Sequence, residues 1–311
     1  MKKLYWLIGI VAVLVGAAEY YRSTIVNELK LLDETARAEA PGNFANLENG
    51  KVHYQWHGPE NGDVTVLVHG FSTPSFVWKG LLVNLTNAGL RVLTYDHFGR
   101  GWSDRPNTVY DAKFYDTQLL RLLEQMNIKR PVNMVGYSMG GAVSTFFAAN
   151  HPDKVKNLAL IAPAGFPVNE GTMAQIIKLP IMGDWLMDVV GRKSMLEEMQ
   201  KPANQGKAIP DIVARYDAQM AYAGYLPALL STLRHFPMSD MQTEYIDVGR
   251  TDLPVLAIWG TEDTVVPPSN AELLKTAIPS ASLKFLKEGT HAITYSMPDE
   301  VSKELVSFFT Q

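Results

Sequence analysis

The stretch VNMVGYSMGGA, residues 132–142, decides the fold class of this chain. Its first four residues predict a buried strand, and the residues from Met139 onward predict a helix. Between them stands the pattern Gly-x-Ser-x-Gly, with Ser138 at its centre. A serine at a sharp strand-to-helix turn exposes its hydroxyl, and glycines flank it because larger residues would collide there. The helix that follows points its positive end at any oxyanion formed beside the serine. The stretch therefore predicts a nucleophile.

A nucleophilic serine needs a base, and three histidines follow Ser138 in the chain. His151 precedes a proline at the end of a predicted helix, where it would act as a cap. His235 lies in a segment without strands, where it could line a pocket but no nearby strand end would hold it. His291 stands on a loop just past the last predicted strand, at the same sheet edge as Ser138. The sequence therefore predicts His291 as the base.

The base needs an acid to orient it, and this acid should follow a strand. Glu262 and Asp263 come after the predicted strand Val255–Trp259. Asp263 is the better candidate because Gly260 makes the turn before it, while Glu262 is expected to face solvent. The end of the preceding strand, residues 162–164, reads Ala-Pro-Ala and has no carboxylate. The predicted catalytic residues are thus Ser138, Asp263 and His291.

The oxyanion hole of such a site consists of backbone N–H groups, so position identifies its members. Met139, directly after the nucleophile, supplies one donor. The loop after the predicted strand Val64–Val68 reads His69-Gly70-Phe71, and the N–H of Phe71 is the expected second donor. His69 is interpreted as a structural hydrogen-bonding residue of that loop.

Apolar, branched runs alternate with helical patterns along most of the chain, which predicts a mainly parallel sheet covered on both faces. Phe44–Leu47 and Lys51–His57, joined at Asn49-Gly50, predict an antiparallel hairpin at one edge. The remaining predicted strands are Val64–Val68, Leu90–Tyr95, Val132–Val135, Leu158–Ile161, Val255–Trp259 and Leu283–Leu286. The predicted helices are Phe76–Ala88, Tyr110–Met126, Met139–Asn150, Ser269–Ala277 and Asp299–Phe309.

One interval, from about residue 165 to 249, shows no convincing strand and is rich in methionine and leucine. It predicts a helical cap over the carboxyl edge of the sheet. Its methionines either pack as core between cap and sheet or form an adaptable apolar wall for an acyl chain.

The N-terminus differs from the rest because Leu4–Ala18 contains no charge and follows two lysines. An uncleaved anchor would continue through Tyr20 and Tyr21 into an amphipathic stretch, Ile25–Ala38. A cleaved signal peptide would end near Ala18, and a buried core helix is the third alternative. Residues 1–40 are thus predicted as a hydrophobic anchor or signal with a helical stalk, and 41–311 as the catalytic domain. The lysines favour a catalytic domain outside the cytoplasm, anchored or, after cleavage, secreted or periplasmic.

Composition narrows the classes of function. The chain is 47% hydrophobic and 19% charged, as in globular proteins, and its net charge of −4 provides no attraction to nucleic acid. It has no cysteine, which excludes disulfides, thiolate catalysis and cysteine-based zinc sites. Neither a cofactor nor a metal is expected. Oligomeric state is left open.

In order and spacing, five segments resemble the α/β-hydrolase superfamily over the region from about Phe44 to the end: residues 69–71, 96–104, 136–140, 260–263 and 289–291. Within it the chain resembles capped esterases, monoacylglycerol-lipase-like enzymes and carbon–carbon bond hydrolases. The resemblance implies an eight-stranded sheet with a helical cap, and structural roles for Arg100 and Asp104.

These features predict hydrolysis of lipid-like or medium-chain acyl esters through an acyl-enzyme, at a membrane reached through the N-terminal segment. The open alternatives are a carbon–carbon bond hydrolase or lactonase with the same triad, and a non-catalytic ligand receptor.

Overall fold

An eight-stranded sheet forms the centre of the molecule, in the strand order β1-β2-β4-β3-β5-β6-β7-β8. The strands are β1 Asn43–Leu47, β2 Gly50–His57, β3 Val64–Val68, β4 Arg91–Tyr95, β5 Val132–Tyr137, β6 Val155–Ile161, β7 Val255–Gly260 and β8 Ser282–Leu286. β3 to β8 are mutually parallel, whereas β1 and β2 form the predicted antiparallel hairpin at one edge. The mainly parallel eight-stranded sheet is therefore confirmed. The computed structural model describes residues 2–168 and 171–310.

The strand order places two loops side by side. The chain passes from β3 to β4 on one side and then crosses to β5 on the other side of β3. β3 and β5 are neighbours, but the connection after β3 runs toward β4 and the connection after β5 runs toward β6. The two loops therefore separate at the carboxyl edge and leave a crevice between them, where open α/β sheets bind their ligands. Ser138 follows β5 and Phe71 follows β3, so topology alone brings these two residues to the same crevice.

Helices cover both faces of the sheet and bury two apolar clusters. On one face, α4 (Ala112–Gln125) and α5 (Met139–Asn150) pack with α11 (Gln242–Gly249) and α12 (Asn270–Ala277). On the other face, α3 (Lys79–Asn87) and α14 (Pro298–Phe309) pack with cap residues. The helices outside the cap are α1 Lys2–Asn27, α2 Glu34–Arg37, α3 Lys79–Asn87, α4 Ala112–Gln125, α5 Met139–Asn150, α12 Asn270–Ala277, α13 Ile293–Ser296 and α14 Pro298–Phe309. Because both faces are covered, the central strands are apolar along nearly their whole length.

Within the described part of the region predicted as a cap, six α-helices lie between β6 and β7: α6 Gly171–Lys178, α7 Met182–Leu186, α8 Arg192–Met199, α9 Ile212–Met220, α10 Tyr225–His235 and α11 Gln242–Gly249. A π-helical turn, Met187–Gly191, joins α7 to α8. Met187, Met199 and Met220 are buried in the cluster on the α3 face, as core packing requires. Met173 and Met182 are instead exposed. Asn169 and Glu170 of the predicted cap lie outside the described residues.

The segment before the sheet differs from the prediction. α1 is long and apolar enough to cross a membrane, by length and composition. The predicted stretch Ile25–Ala38 is not one continuous helix, because α1 ends at Asn27 and Lys30 pairs with the cap backbone at Tyr222. Helix resumes only at α2, Glu34–Arg37. Lys30 N donates to Ala221 O and Lys30 O accepts from Ala223 N, both at 2.8 Å. These bonds satisfy the Lys30 backbone without a helix. Met1, which opens the predicted anchor, lies outside the described residues.

Candidate active site

Ser138 occupies a strained turn between β5 and α5. Its φ of 55° and ψ of −121° are rare for a residue with a side chain. Backbone packs tightly around it: a Cβ on Gly140 would lie 2.5 Å from His69 O and closer still to Val68 O. A Cβ on Gly136 would lie 2.6 Å from Gly141 Cα. The two glycines are therefore required by close backbone approach, as the sequence predicts.

The side chains of Ser138, His291 and Asp263 form a continuous hydrogen-bonded chain. Ser138 Oγ lies 2.9 Å from His291 Nε2, and His291 Nδ1 lies 2.7 Å from Asp263 Oδ2. The other oxygen of Asp263 accepts hydrogen bonds from the N–H groups of Val265 and Val266, each at 2.8 Å. The Asp263 carboxylate is fully buried, and each of its oxygens has a hydrogen-bond donor as partner. The structure brings the three predicted residues together from the ends of β5, β7 and β8.

The loop that carries His291 is held by a residue that the sequence did not single out. Tyr137, the residue before the serine, donates from its hydroxyl to His291 O at 2.9 Å. The two rings also pack with centroids 5.1 Å apart. Further support comes from Gly260, where a Cβ would overlap the backbone of Gly289. The only sequence signal for Tyr137 was its place inside the Gly-x-Ser-x-Gly pattern, which does not specify this residue.

The β3 loop lies directly against the serine. A Cβ on Gly70 would stand 3.3 Å from Ser138 Cβ, so the loop that continues into Phe71 packs against Ser138. Arg100 Nε donates to Phe71 O at 2.9 Å, which agrees with the structural role implied for Arg100. Met139 begins α5, whose N-terminal end carries a positive dipole. The loop that carries Phe71 and the first residue of α5, Met139, thus both adjoin Ser138.

Two cap side chains hold the same loop, and the sequence did not predict either. Ser72 O accepts hydrogen bonds from Tyr225 Oη at 2.7 Å and from Gln219 Nε2 at 3.0 Å. The Oε1 of Gln219 also accepts from Gly101 N at 3.2 Å. The helices α9 and α10 thus fasten the loop next to Phe71. Such long-range bonds leave no local pattern in the chain, so periodicity could not reveal them.

Three other histidines take no part in the hydrogen bonds that join Ser138, His291 and Asp263. His69 is fully buried, and burial lowers its pKa to about 4. It is therefore neutral, accepting from His97 N at 2.9 Å and contacting Gly70 O at 2.8 Å, as its structural interpretation requires. His151 contacts Asp116 at 3.2 Å. His235 is exposed, so the interpretation of it as a pocket residue finds no support.

Three further observations concern the acidic residues Asp104 and Glu262 and the capacity to bind a metal. Asp104 accepts a hydrogen bond from Lys51 N at 2.7 Å and pairs with Arg37, consistent with its implied structural role. Glu262 is exposed, as expected, while its neighbour Asp263 is buried. Within residues 2–168 and 171–310, no group of three or more His, Cys, Asp or Glu side chains could hold a metal ion.

A protein-family model and a named relative match most of this chain. The family model described as serine aminopeptidase, S33 (Hydrolase_4) matches residues 59–296. Monoacylglycerol lipase abhd6-B of Xenopus laevis is 24% identical over 277 residues, which cover 86% of this chain and 81% of that protein.

Solved structures show the same architecture. The enol-lactonase from Burkholderia xenovorans LB400 has a TM-score of 0.69 at 24% identity, covering 86% of this chain and 100% of that one. A membrane phospholipase A, described as a bacterial virulence factor, has a TM-score of 0.69 at 21% identity, covering 100% of this chain and 98% of that one. The fold is the α/β-hydrolase fold.

Proposed function

This chain belongs to the Hydrolase_4 family (serine aminopeptidase, S33), and from that membership we propose that it is a serine hydrolase that cleaves carboxylic esters. One observation carries the proposal: the chain of hydrogen bonds from Ser138 through His291 to Asp263. A serine hydroxyl becomes nucleophilic when an adjacent imidazole takes its proton, and a buried carboxylate stabilises the imidazolium that forms.

The proposed reaction has two halves. Ser138 Oγ attacks the ester carbonyl while its proton passes to His291 Nε2, and the N–H groups of Phe71 and Met139 stabilise the oxyanion. The tetrahedral intermediate collapses, the carbon–oxygen bond to the alcohol breaks, and His291 gives its proton to the leaving alkoxide. Water then attacks the acyl-Ser138 carbonyl, its proton passes to His291, and the acid leaves as the proton returns to Ser138. Asp263 keeps the imidazole oriented in both halves.

Lipid-like or medium-chain acyl esters are the proposed substrate class. The apolar helix α1 would anchor the chain in a membrane, where such esters concentrate. The relative from Xenopus laevis is named a monoacylglycerol lipase, which fits the same class. The N-terminal segment is proposed to be an uncleaved anchor, with the catalytic domain outside the cytoplasm.

A substrate series tests the proposal. Purified full-length chain is incubated with p-nitrophenyl esters of increasing acyl length, with monoacylglycerols and with a lactone, beside Ser138→Ala. The same protein is also treated with a fluorophosphonate probe, which we expect to label Ser138. In the substrate series we expect a preference for medium-chain esters and monoacylglycerols. A preference for acetate over every longer ester would contradict the lipid-like class, and faster lactone opening would favour the lactonase. A native protein that is neither labelled nor active would contradict the serine hydrolase and favour the non-catalytic ligand receptor.

The state of the N-terminus is measured separately. Intact mass of the chain from the membrane fraction is expected to correspond to the uncleaved sequence. A mature N-terminus near Ala18 would show that the segment is a signal peptide.

The hydroxyl of Tyr225 offers a test of how the cap supports the loop that carries Phe71, the proposed oxyanion donor. We expect Tyr225→Phe to lower kcat roughly 2- to 12-fold with KM nearly unchanged, because the lost hydrogen bond contributes about 0.5–1.5 kcal/mol. Tyr110→Phe is the matched control, since its hydroxyl donates to Pro106 O at 2.9 Å and not to this loop. Steady-state kinetics on a soluble ester and the Tm of both variants decide the outcome. Equal losses of kcat in the two variants would contradict the expectation.

A further inference from the structure

An exposed apolar tip projects from the cap, where α6 turns into α7. The cap tip, defined as Leu179–Met182, reads Leu-Pro-Ile-Met. Ile181 is 83% exposed, Met182 53% and Leu179 49%, and nearby Met173 on α6 is 63% exposed. From residue 171 to 183 the only charged side chain in the sequence is Lys178, which is positive. An apolar cluster with so little charge is unusual on a water-facing surface and indicates an interaction site.

The cap tip is held rigidly in this exposed position. Ile181 has a φ of 66°, a left-handed conformation that is costly for a β-branched residue. Asp184 Oδ2 accepts from Ile181 N at 2.9 Å and also binds the guanidinium of Arg234, which lowers the pKa of that carboxyl. Arg234 also donates to Leu179 O at 2.9 Å. Several polar bonds thus stabilise a strained turn that presents Ile181 to the outside.

The cap tip is tied to the proposed membrane anchor. Arg22 of α1 forms an ion pair with Asp188 at 2.8 Å, just past α7. Trp185 Nε1 lies 3.4 Å from Ala18 O and donates a long hydrogen bond to it. The same helix α7 that contacts α1 through Trp185 therefore begins at the cap tip.

The position of these contacts along α1 places the tip at the membrane surface. Leu4–Ala18 is uncharged and Glu19 is the next charged residue, so Ala18 marks the boundary of the hydrocarbon if α1 is inserted. One helical turn, about 5.4 Å, separates Trp185 from Ile181. The polar headgroup layer on each side of a bilayer is roughly 5–8 Å thick. Trp185 contacts Ala18 and the later Asp188 contacts the later Arg22, so α7 runs along α1 in the same direction and Ile181 lies on the membrane side of Trp185. The cap tip is therefore within reach of the headgroups and the acyl chains beneath them.

We propose that the cap tip inserts into the surface of the same lipid bilayer that holds α1, so that the cap faces the membrane beside the anchor. The inference rests on the proposed anchoring of α1. It deepens that proposal by naming a second contact with the membrane. This contact would place the cap next to the bilayer from which a lipid-like ester would come. Interfacial insertion of an apolar surface releases water from it, which is the source of the binding free energy.

Because the chain has no cysteine, single labels test the proposal directly. Ile181→Cys, Val11→Cys and Val83→Cys are each labelled with an environment-sensitive fluorophore in the full chain and reconstituted into phosphatidylcholine–phosphatidylglycerol vesicles that contain nitroxide lipids. Val11 lies within α1, and Val83 on α3 is exposed, apolar and outside the cap. We expect loss of fluorescence for the labels at positions 11 and 181 but not for the label at position 83.

The outcomes separate the two proposals. Loss at position 11 without loss at 181 would overturn the membrane contact of the cap tip and leave the anchor intact. No loss at position 11 would overturn the anchor itself, and with it the premise of this inference. As an independent readout, Ile181→Asp is expected to lose hydrolysis of a vesicle-borne ester while keeping wild-type rates on a water-soluble ester. If Ile181→Asp hydrolysed the vesicle-borne ester at the wild-type rate as well, the proposal would also be overturned.

Discussion

Ser138→Ala is expected to lower kcat/KM for a water-soluble ester by about 10⁴-fold or more, with no loss of folding. The hydroxyl lies 2.9 Å from His291 Nε2, and no other nucleophile takes its place at the turn. Asp263→Asn is expected to cost about 10⁴-fold in kcat, because an amide neither holds the neutral imidazole in the required tautomer nor stabilises the imidazolium as a carboxylate does. Since the residues act as a unit, Ser138→Ala combined with His291→Ala should be hardly slower than Ser138→Ala alone.

Glu262→Gln provides the matched control for Asp263→Asn. It removes a carboxylate from the adjacent position of the same loop, but Glu262 is exposed and makes no part of the hydrogen-bonded chain. Its kcat should equal that of the wild type. Initial rates on a p-nitrophenyl ester and far-ultraviolet circular dichroism are measured for all variants. Comparable losses in Glu262→Gln and Asp263→Asn, with folding preserved, would rule out the assignment of Asp263 as the acid.

Gly140→Ala is expected to be strongly destabilising for the addition of a single methyl group. Its Cβ would overlap backbone of β3, 2.5 Å from His69 O and closer to Val68 O, and backbone in a central strand cannot move aside as a flexible side chain can. Overpacking typically costs about 1–3 kcal/mol, and contact with backbone that cannot move aside places this change at the upper end of that range. For a chain of this size, the Tm should fall by roughly 6 °C or more.

Gly70→Ala is the matched comparison for Gly140→Ala. The same methyl group is added nearby, but the nearest atom would be Ser138 Cβ at 3.3 Å, a contact that a shift of a few tenths of an ångström relieves. We expect a small change of Tm and a lower kcat, because the shift displaces the nucleophile. Thermal unfolding followed by tryptophan fluorescence compares the two. If Gly140→Ala unfolds at the wild-type temperature, the close approach of β3 to the serine turn is wrong.

The parts of the fold that local chemistry controls were predictable. Runs of branched apolar residues predicted the parallel strands, since strands buried on both faces show little alternation. Asn49-Gly50 predicted the hairpin, because this pair suits a tight turn. The candidate triad was predictable for a related reason: each member follows a recognisable strand, and parallel strands end at the same edge.

Other features could not be read from the chain because distant partners create them. The predicted stretch Ile25–Ala38 is interrupted where the backbone of Lys30 pairs with that of Tyr222. No residue near Lys30 in the sequence indicates this contact. Tyr225 and Gln219 reach Ser72 across more than a hundred residues. The exposed turn at Ile181 depends on Arg234, some fifty residues later.

The sequence by itself determined the α/β sheet, the Gly-x-Ser-x-Gly turn and the order of serine, acid and histidine, because hydrophobic pattern, turn residues and chain order are local properties. The tertiary structure alone decided the distances between Ser138, His291 and Asp263, the clamp of the cap on the Phe71 loop and the position of the cap beside α1. Those depend on long-range hydrogen bonds and close backbone packing, whose free energy is gained only when remote segments meet.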